Sequence, residues 1–329
     1  MTAETSIVSR PAADHERPDV MRLLEASLGW DLASGLADYF DWKHLDNPFG
    51  RSPAWVALDG ERIVGFRTFL RWEFEDRDRT VHRAVRAVDT ATHPEYQGRG
   101  IFRLLTLAAV QQMTDEGVNF VFNTPNDKSR PGYLKMGWHQ VGRPPTSVRV
   151  RSPLGLARML ASRVPADRWP LPGTAGSPAV EILGDARVDA LLAALAPPRG
   201  LRTRRTRDYL KWRYGFAPLG YRALTAGRDP AEGVAVFRVR RRGKAAEAAL
   251  CELLVPDGAP TAARHLARSV ARTTGADYVV RLGRAAAAGG FLPLPGQGPI
   301  LTWRALDTTA VAPPALDEWQ LSLGDVELL

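Results

Sequence analysis

A turn between a strand-like and a helix-like segment carries two glycines and an arginine suited to binding an anion. Val88-Asp89-Thr90-Ala91-Thr92 is β-branched and strand-like, and the turn His93-Pro94-Glu95-Tyr96-Gln97-Gly98-Arg99-Gly100-Ile101-Phe102 follows. The amphipathic run Arg103-Leu104-Leu105-Thr106-Leu107-Ala108-Ala109-Val110 comes next. Gly98 and Gly100 let the backbone adopt conformations closed to other residues and approach a ligand closely. A helix start leaves several N–H groups without intrahelical partners, a ready site for an anion. Each charge placed at such a dipole gains only about 0.3–1 kcal/mol. Affinity must therefore come from several N–H contacts together with Arg99, and a diphosphate suits that geometry.

Three readings of the turn compete. It is not a P-loop, because Ile101-Phe102 follows Gly100 where Lys-Ser/Thr would be needed. It is a poor dinucleotide fingerprint, since the third glycine is missing and the strand does not open its domain. A plain glycine turn before a helix is the third.

The elements that must hold the turn can be followed outward. Residues 86–92 predict a strand, residues 101–116 a helix, and Phe120-Val121-Phe122 a short strand. The chain also repeats itself. Tyr39-Phe40-Asp41-Trp42-Lys43-His44, with Pro48-Phe49-Gly50 after it, returns as Tyr209-Leu210-Lys211-Trp212-Arg213-Tyr214 and Pro218-Leu219-Gly220. Looser parallels keep the same order. The helical spacing of residues 18–30 is echoed at 186–198, and the strand Ile63-Val64-Gly65-Phe66-Arg67 at Val234-Ala235-Val236-Phe237-Arg238. Strand, turn and helix recur over residues 249–273, and a short strand at Tyr278-Val279-Val280.

Residues 144–178 are rich in Pro, Gly, Ala and Ser and carry a helical run at 154–164, which reads as a structured bridge. Three parts follow: residues 1–146 with the turn, a bridge over 147–180, and a second half over 181–329. Each half mixes strands and helices, giving α/β or α+β twice over.

At 329 residues, 45% hydrophobic and 24% charged, the chain has the size and make-up of two globular domains. Its formal charge of +8 suits a polyphosphate cofactor, nucleic acid or acidic lipid. The arginine stretches at 202–207 and 238–242 lack interleaved aromatics and match no nucleic-acid module, so they read as solvated surface. The single cysteine, Cys251, excludes an internal disulfide and reads as a small core residue. The six histidines show no ligand spacing, and no metal is expected. Residues 1–17 are polar and unlike a signal peptide, and no run reaches the ~18 apolar residues of a membrane span. A cytoplasmic enzyme with neither nucleic acid nor membrane as partner is the expectation, and a homodimer is allowed.

The turn has company downstream. Gln97-Gly98-Arg99-Gly100-Ile101 resembles the Gln/Arg-x-x-Gly-x-Gly/Ala loop of the GNAT acetyltransferase superfamily, and Asn123, Asn126 and Tyr133-Leu134-Lys135-Met136-Gly137-Trp138 resemble its Asn…Tyr-x-Lys-x-Gly-Phe segment. The resemblance covers about residues 5–145. It implies tandem GNAT-like domains, each a mixed, mostly antiparallel sheet flanked by helices, with acetyl-CoA as co-substrate. By it, Thr90, Ala91 and Thr92 would pair with the pantetheine arm where two parallel strands splay. Gln97, Gly98, Arg99, Gly100, Ile101 and Phe102 would hold the pyrophosphate. Asn123 and Asn126 would serve the same cofactor, and Tyr133 would act as general acid at the thioester sulfur. Phe102 departs from the usual Gly or Ala and should tighten packing there. The tandem arrangement also resembles mycothiol synthase and the Eis-type acetyltransferases.

A lysine-type amine must lose a proton at pH 7, a penalty of about 4.6 kcal/mol, whereas an α-amine faces about 1.4. Asp89 is the best-placed carboxylate for that task, with a strand-end carboxylate bound to backbone or arginine as its bland alternative. The second half reads Val255-Pro256-Asp257-Gly258-Ala259-Pro260 at the matching place. The paired glycines are gone and Pro260 removes a donor, so a phosphate cradle is not expected there. The expected activity is acetyl transfer to the primary amine of a small molecule by direct attack on the thioester. The alternatives are a non-catalytic acyl-CoA-binding module and an acyltransferase with a longer acyl or an aminoacyl donor.

Overall fold

The computed structural model describes residues 7–31, 35–283, 289–307 and 314–327; residues 1–6 of the polar N-terminal stretch lie outside these. In chain order the elements begin β1 (Val8–Pro11), α1 (Arg17–Leu28), α2 (Leu36–His44), β2 (Ala54–Asp59), β3 (Arg62–Glu75), β4 (Val81–Thr92), α3 (Ile101–Asp115), β5 (Phe120–Asn123), α4 (Arg130–Lys135) and β6 (His139–Gly142). They continue with β7 (Thr146–Val150), α5 (Pro153–Ala161), β8 (Ser177–Pro178), α6 (Ala179–Gly184), α7 (Arg187–Ala193), β9 (Arg202–Thr203), α8 (Arg207–Gly215) and β10 (Arg222–Thr225). The last are β11 (Val234–Arg242), β12 (Ala245–Leu254), α9 (Pro260–Thr273), β13 (Tyr278–Leu282), β14 (Leu292–Pro293), β15 (Leu301–Ala305) and α10 (Leu323–Val326).

The chain divides into two compact units, each assembled from separate stretches: Met1–Phe74, Val81–Gly142 and Ile300–Ala315 in one, Glu75–Thr80, Arg143–Pro299 and Leu316–Leu329 in the other. The first unit's sheet runs β1-β2-β3-β4-β5-β15-β6 and the second's β14-β7-β13-β12-β11-β10-β8. Each is mixed: β4–β5 and β12–β13 pair in parallel, while β1–β2, β2–β3, β5–β15, β10–β11 and β11–β12 are antiparallel. This is the expected α/β class, two mixed sheets with helices on them.

In the first unit, α3 lays Leu105, Ala109 and Met113 onto Trp55, Val85 and Val121, one continuous core. Each of its large apolar side chains gains about 1.5–3 kcal/mol by leaving water. On the strand side opposite, Phe40 of α2 meets Phe66 of β3 with ring centroids 6.1 Å apart, and Trp72 meets Phe122 at 5.9 Å. Gly65 of β3 sits under α3, where an added Cβ would collide with the Ile101 side chain; no other residue lets the helix start come so close.

The repeat has a structural counterpart. Tyr39 and Trp42 on α2, and Tyr209 and Trp212 on α8, are all buried, and each pair is in ring contact, 5.4 Å and 6.0 Å apart. Both aromatic pairs are packing residues. The parallel pairing of β4 with β5 stops at Arg86↔Phe122, and that of β12 with β13 at Ala249↔Val280. A buried acid follows three residues later in each strand, Asp89 and Glu252.

One expectation fails in the second unit. The arginines of β11 were expected on a solvated face, yet Arg238 is fully buried and Arg240 nearly so. Arg238 donates to Glu327 at 2.7 Å and Arg240 to Glu247 at 2.8 Å. Arg205 is also buried and pairs with Glu252 and Asp325. Alternation marks which residues share a face, but it cannot tell whether acids from distant segments will cover that face. Cys251 is buried as expected, and burial pushes its thiol well above its ordinary value.

Candidate active site

The turn after β4 is built as a cradle. Pro94–Tyr96 forms a tight 3-10 turn, with the His93 ring accepting from the Glu95 N–H. The Tyr96 hydroxyl donates to Asp59 at the end of β2, 2.6 Å away, which ties the loop to the β2–β3 hairpin. Exposed Arg99 lies over the Tyr96 ring at 4.7 Å. Gly98 and Gly100 both have φ of 78°, and α3 begins directly after Gly100. An added Cβ would meet nothing within 4 Å at either glycine, so the left-handed backbone, not space, demands them. The N–H of Leu104 is the first to enter the helix ladder, donating to the Gly100 carbonyl at 3.0 Å. Among the described residues, the N–H groups from Gly98 to Arg103 meet no acceptor in the chain. Unpaired donors at a helix start are what a diphosphate needs.

Thr90, Ala91 and Thr92 lie on β4 past the last β4–β5 pair, alongside the opening where the strands part. The strand is kinked there, since Asp89 has φ of 43° although it is not a glycine. Tyr133 is buried on α4, with its ring edge-on to Phe102 at 5.2 Å. Phe102 thus builds one wall of the tyrosine's pocket, which is the physical content of its departure from a small residue.

The sequence did not flag Arg67. Its guanidinium is fully buried, donating to the Tyr133 hydroxyl at 2.8 Å and to the Thr90 hydroxyl at 2.6 Å. It also lies over the rings of Phe69, Phe102 and Tyr133 at 4.5–5.3 Å. Among the described residues no carboxylate pairs with it, and its Nε has no hydrogen-bond partner. An uncompensated buried cation is costly, and it makes its surroundings seek negative charge. The available signal was an arginine inside the otherwise apolar Phe66-Arg67-Thr68-Phe69-Leu70.

Asp89 points into a second cluster. Its Oδ2 accepts from Lys43 Nζ at 2.7 Å and from His44 Nε2 at 2.8 Å. The other ring nitrogen, Nδ1, lies 2.9 Å from Ser52 Oγ. Burial alone would push the Asp89 carboxyl up, but the Lys43 ammonium and the His44 hydrogen bond outweigh it and hold it well below the ordinary carboxylate range. Burial lowers His44, with Asp89 opposing. The ring is therefore neutral at pH 7, and because a carboxylate only accepts, Nε2 carries the proton and Ser52 donates to Nδ1. Lys43 and His44 follow Trp42 in the repeated segment; their counterparts, Arg213 and Tyr214, are also buried, and Tyr214 donates to Glu252 at 3.0 Å. A buried pair after each copy of the motif was the signal available.

The two asparagines are placed differently. Asn123 is buried at the end of β5, and its Oδ1 accepts from Thr302 Oγ1 at 2.6 Å. Asn126 caps the turn into α4, its Oδ1 accepting from the N–H groups of Lys128 and Ser129. The structure thus brings Thr90, Tyr133 and Phe102 together through Arg67, and leaves Asn126 in the turn.

Residues 9–141 match the family model described as an acetyltransferase (GNAT) domain. Solved structures of similar fold include a GCN5-related N-acetyltransferase from Anabaena variabilis, 13% identical, with a TM-score of 0.64 over 92% of this chain and 73% of that one. A GCN5-related N-acetyltransferase from Kribbella flavida is 16% identical, with a TM-score of 0.60 over 92% and 72%. Eis1 from Mycobacterium abscessus is 13% identical, with a TM-score of 0.57 over 93% and 75%. No curated protein matches the chain significantly in sequence. The fold is that of an acyltransferase domain. Residues 9–141 are identified by the family match as a GNAT acetyltransferase domain.

Among the described residues no helix is long and apolar enough to cross a membrane, and no group of three His, Cys, Asp or Glu is placed to hold a metal.

Proposed function

We propose that the first unit transfers an acetyl group from acetyl-CoA to the primary amine of a small molecule, by direct attack of the amine on the thioester. The observation that carries this reading is the alignment of three features on one unit: the open N–H cradle from Gly98 to Arg103, the parting of β4 from β5, and Tyr133 beside it. The cradle and Arg99 would hold the pyrophosphate, and Thr90 to Thr92 would face the pantetheine arm where β4 runs unpaired beside β5. Acetyl-CoA supplies the activated acyl group and the thiolate leaving group. Tyr133 would protonate the departing sulfur. Arg67, donating to the same hydroxyl at 2.8 Å, would orient it and steady negative charge developing beside it. Asp89 would not be the base that touches the amine; a carboxylate held so low is a weak proton acceptor, and its role is to orient His44 and Lys43. The Asn123 amide remains a candidate contact for the pantetheine from the rim of the opening.

In the second unit Pro260 opens α9 and the Asp257 carboxylate takes the Gly258 N–H at 2.9 Å. A carboxylate where the diphosphate would sit repels it, so donor binding belongs to the first unit.

Calorimetric titration with acetyl-CoA and thiol release with a panel of amines test this. Donor binding is expected in the wild type and in Tyr133→Phe, with turnover reduced in the variant. Absence of donor binding would overturn the assignment. Unchanged turnover in Tyr133→Phe would remove the general-acid role alone.

A further inference from the structure

The buried cluster at Asp89 opens onto a cavity of about 670 Å³ within the first unit, and both His44 and Ser52 line it. Its walls are mainly apolar and aromatic, with Val20, Phe40, Trp55 and Phe66 among them. Its charged lining consists of Arg17, Arg51 and one carboxylate, Asp14. Both Asp14 oxygens are taken by Arg51, and Arg17 is held by Asp41 at 2.8 and 2.7 Å. Each charge of that lining is already paired, so no carboxylate is left there to meet the further ammonium groups of a polycation.

Ser52, His44 and Asp89 form a hydrogen-bonded chain of 2.9 and 2.8 Å, with Asp89 next to Thr90 on β4. Such a chain could activate the serine as a nucleophile or pass a proton. The backbone decides between them. The Ser52 N–H is taken by the His44 carbonyl at 2.9 Å and the next residue is Pro53, so neither the serine's own N–H nor its successor's can hold an oxyanion. The chain suits proton transfer.

We propose that this cavity is the acceptor site, that it takes an amine with an apolar or aromatic body and at most one positive charge, and that Ser52 passes the amine's proton to His44. The inference rests on the acyltransferase reading above. As the amine nitrogen bonds to the carbonyl carbon, its proton moves to Ser52 Oγ while the Ser52 proton moves to His44 Nδ1. Asp89 steadies the imidazolium so formed. The C–S bond then breaks, the thiolate takes the Tyr133 proton, and solvent returns a proton to Tyr133 and removes one from His44. Products are the amide and the thiol. Asp89 and Lys43 are positioning residues in this scheme.

The test uses 2-phenylethylamine and spermidine as probes on the full chain. With acetyl-CoA, kcat/KM for 2-phenylethylamine should exceed that for spermidine by about tenfold or more. Ser52→Ala should lower kcat about a hundredfold, the low end of proton-transfer catalysis, with the amine KM and acetyl-CoA affinity unchanged. Ser52→Thr, which keeps the hydroxyl, should restore it. Ala54→Trp, which fills the cavity, should instead raise the amine KM with acetyl-CoA affinity intact. Titrating 2-phenylethylamine into protein without donor separates the two readings. Binding that Ala54→Trp abolishes supports the cavity even if acetyl-CoA is not the donor. No 2-phenylethylamine binding with or without acetyl-CoA overturns the cavity assignment even where acetyl-CoA binds. A preference for spermidine, or full kcat in Ser52→Ala at an unchanged melting temperature, overturns it too.

Discussion

Replacing Arg67 by Met separates catalysis from stability. The substitution keeps much of the side-chain volume and removes the charge, the donor to Tyr133 and the donor to Thr90. A hydrogen bond from a charged group is worth about 1.5–3 kcal/mol. Only the bond to the Tyr133 hydroxyl bears on the leaving sulfur, so the transition state should lose about that much and kcat should fall roughly 10- to 150-fold. Folding responds differently. Two hydroxyls lose a partner, each costing about 1–3 kcal/mol, while removal of a buried charge with no counter-ion offsets several kcal/mol. The net change in stability should stay within about 2 kcal/mol of the wild type. Arg67→Lys keeps the charge but cannot fork to both hydroxyls, and should fall between the two. Thiol release at saturating acetyl-CoA gives kcat, and calorimetric unfolding gives stability. An unchanged kcat in Arg67→Met would refute the catalytic argument, and a loss of 4 kcal/mol or more, about what a core truncation costs, would refute the charge argument.

Further predictions concern the cradle and the buried cluster. Gly100→Ala and Gly258→Ala each place a side chain at positive φ, 78° and 70°, and should each cost about 1–2 kcal/mol of stability; only Gly100→Ala should weaken acetyl-CoA binding by titration. Lys43→Met leaves Asp89 buried without its cation and should destabilise the first unit by about 3–5 kcal/mol, visible as a lower denaturant midpoint. His44 is held neutral by burial, against the pull of Asp89 and with Lys43 and Asp41 as the other charges acting on it. Below about pH 6.5 the unfolded chain therefore binds more protons than the folded one, and stability should drop as pH falls through that window. Asp89, already ionised far below its usual range, adds nothing there. A melting series from pH 7.5 to 5 should show the drop, and His44→Gln should flatten it.

Features that depend on neighbours along the chain were legible from the residues alone. Two glycines before an amphipathic helix specified the cradle, because positive φ and free N–H groups at a helix start are local properties. The repeated Tyr-x-x-Trp segments, at α2 and α8, likewise announced two similar units, and β-branched and apolar runs placed β4, β5, β12 and β13. Where charges from distant segments meet was settled by folding. Arg67 reads as one arginine in an apolar strand until Tyr133 and Thr90 fold against it. Asp89 was legible as a strand acid, but not that Lys43 and His44 would hold it ionised or that Ser52 would link it to a cavity. Arg238 and Arg240 of β11 alternate like a wet surface, and Glu327, far along the chain, makes them interior. Likewise β15 completes the first sheet beside β5 from nearly 180 residues away, as in the Thr302↔Asn123 pair. Strand pairing and desolvated ion pairs depend on spatial neighbours, and one chain's linear pattern records only the propensity to have them, not their identity.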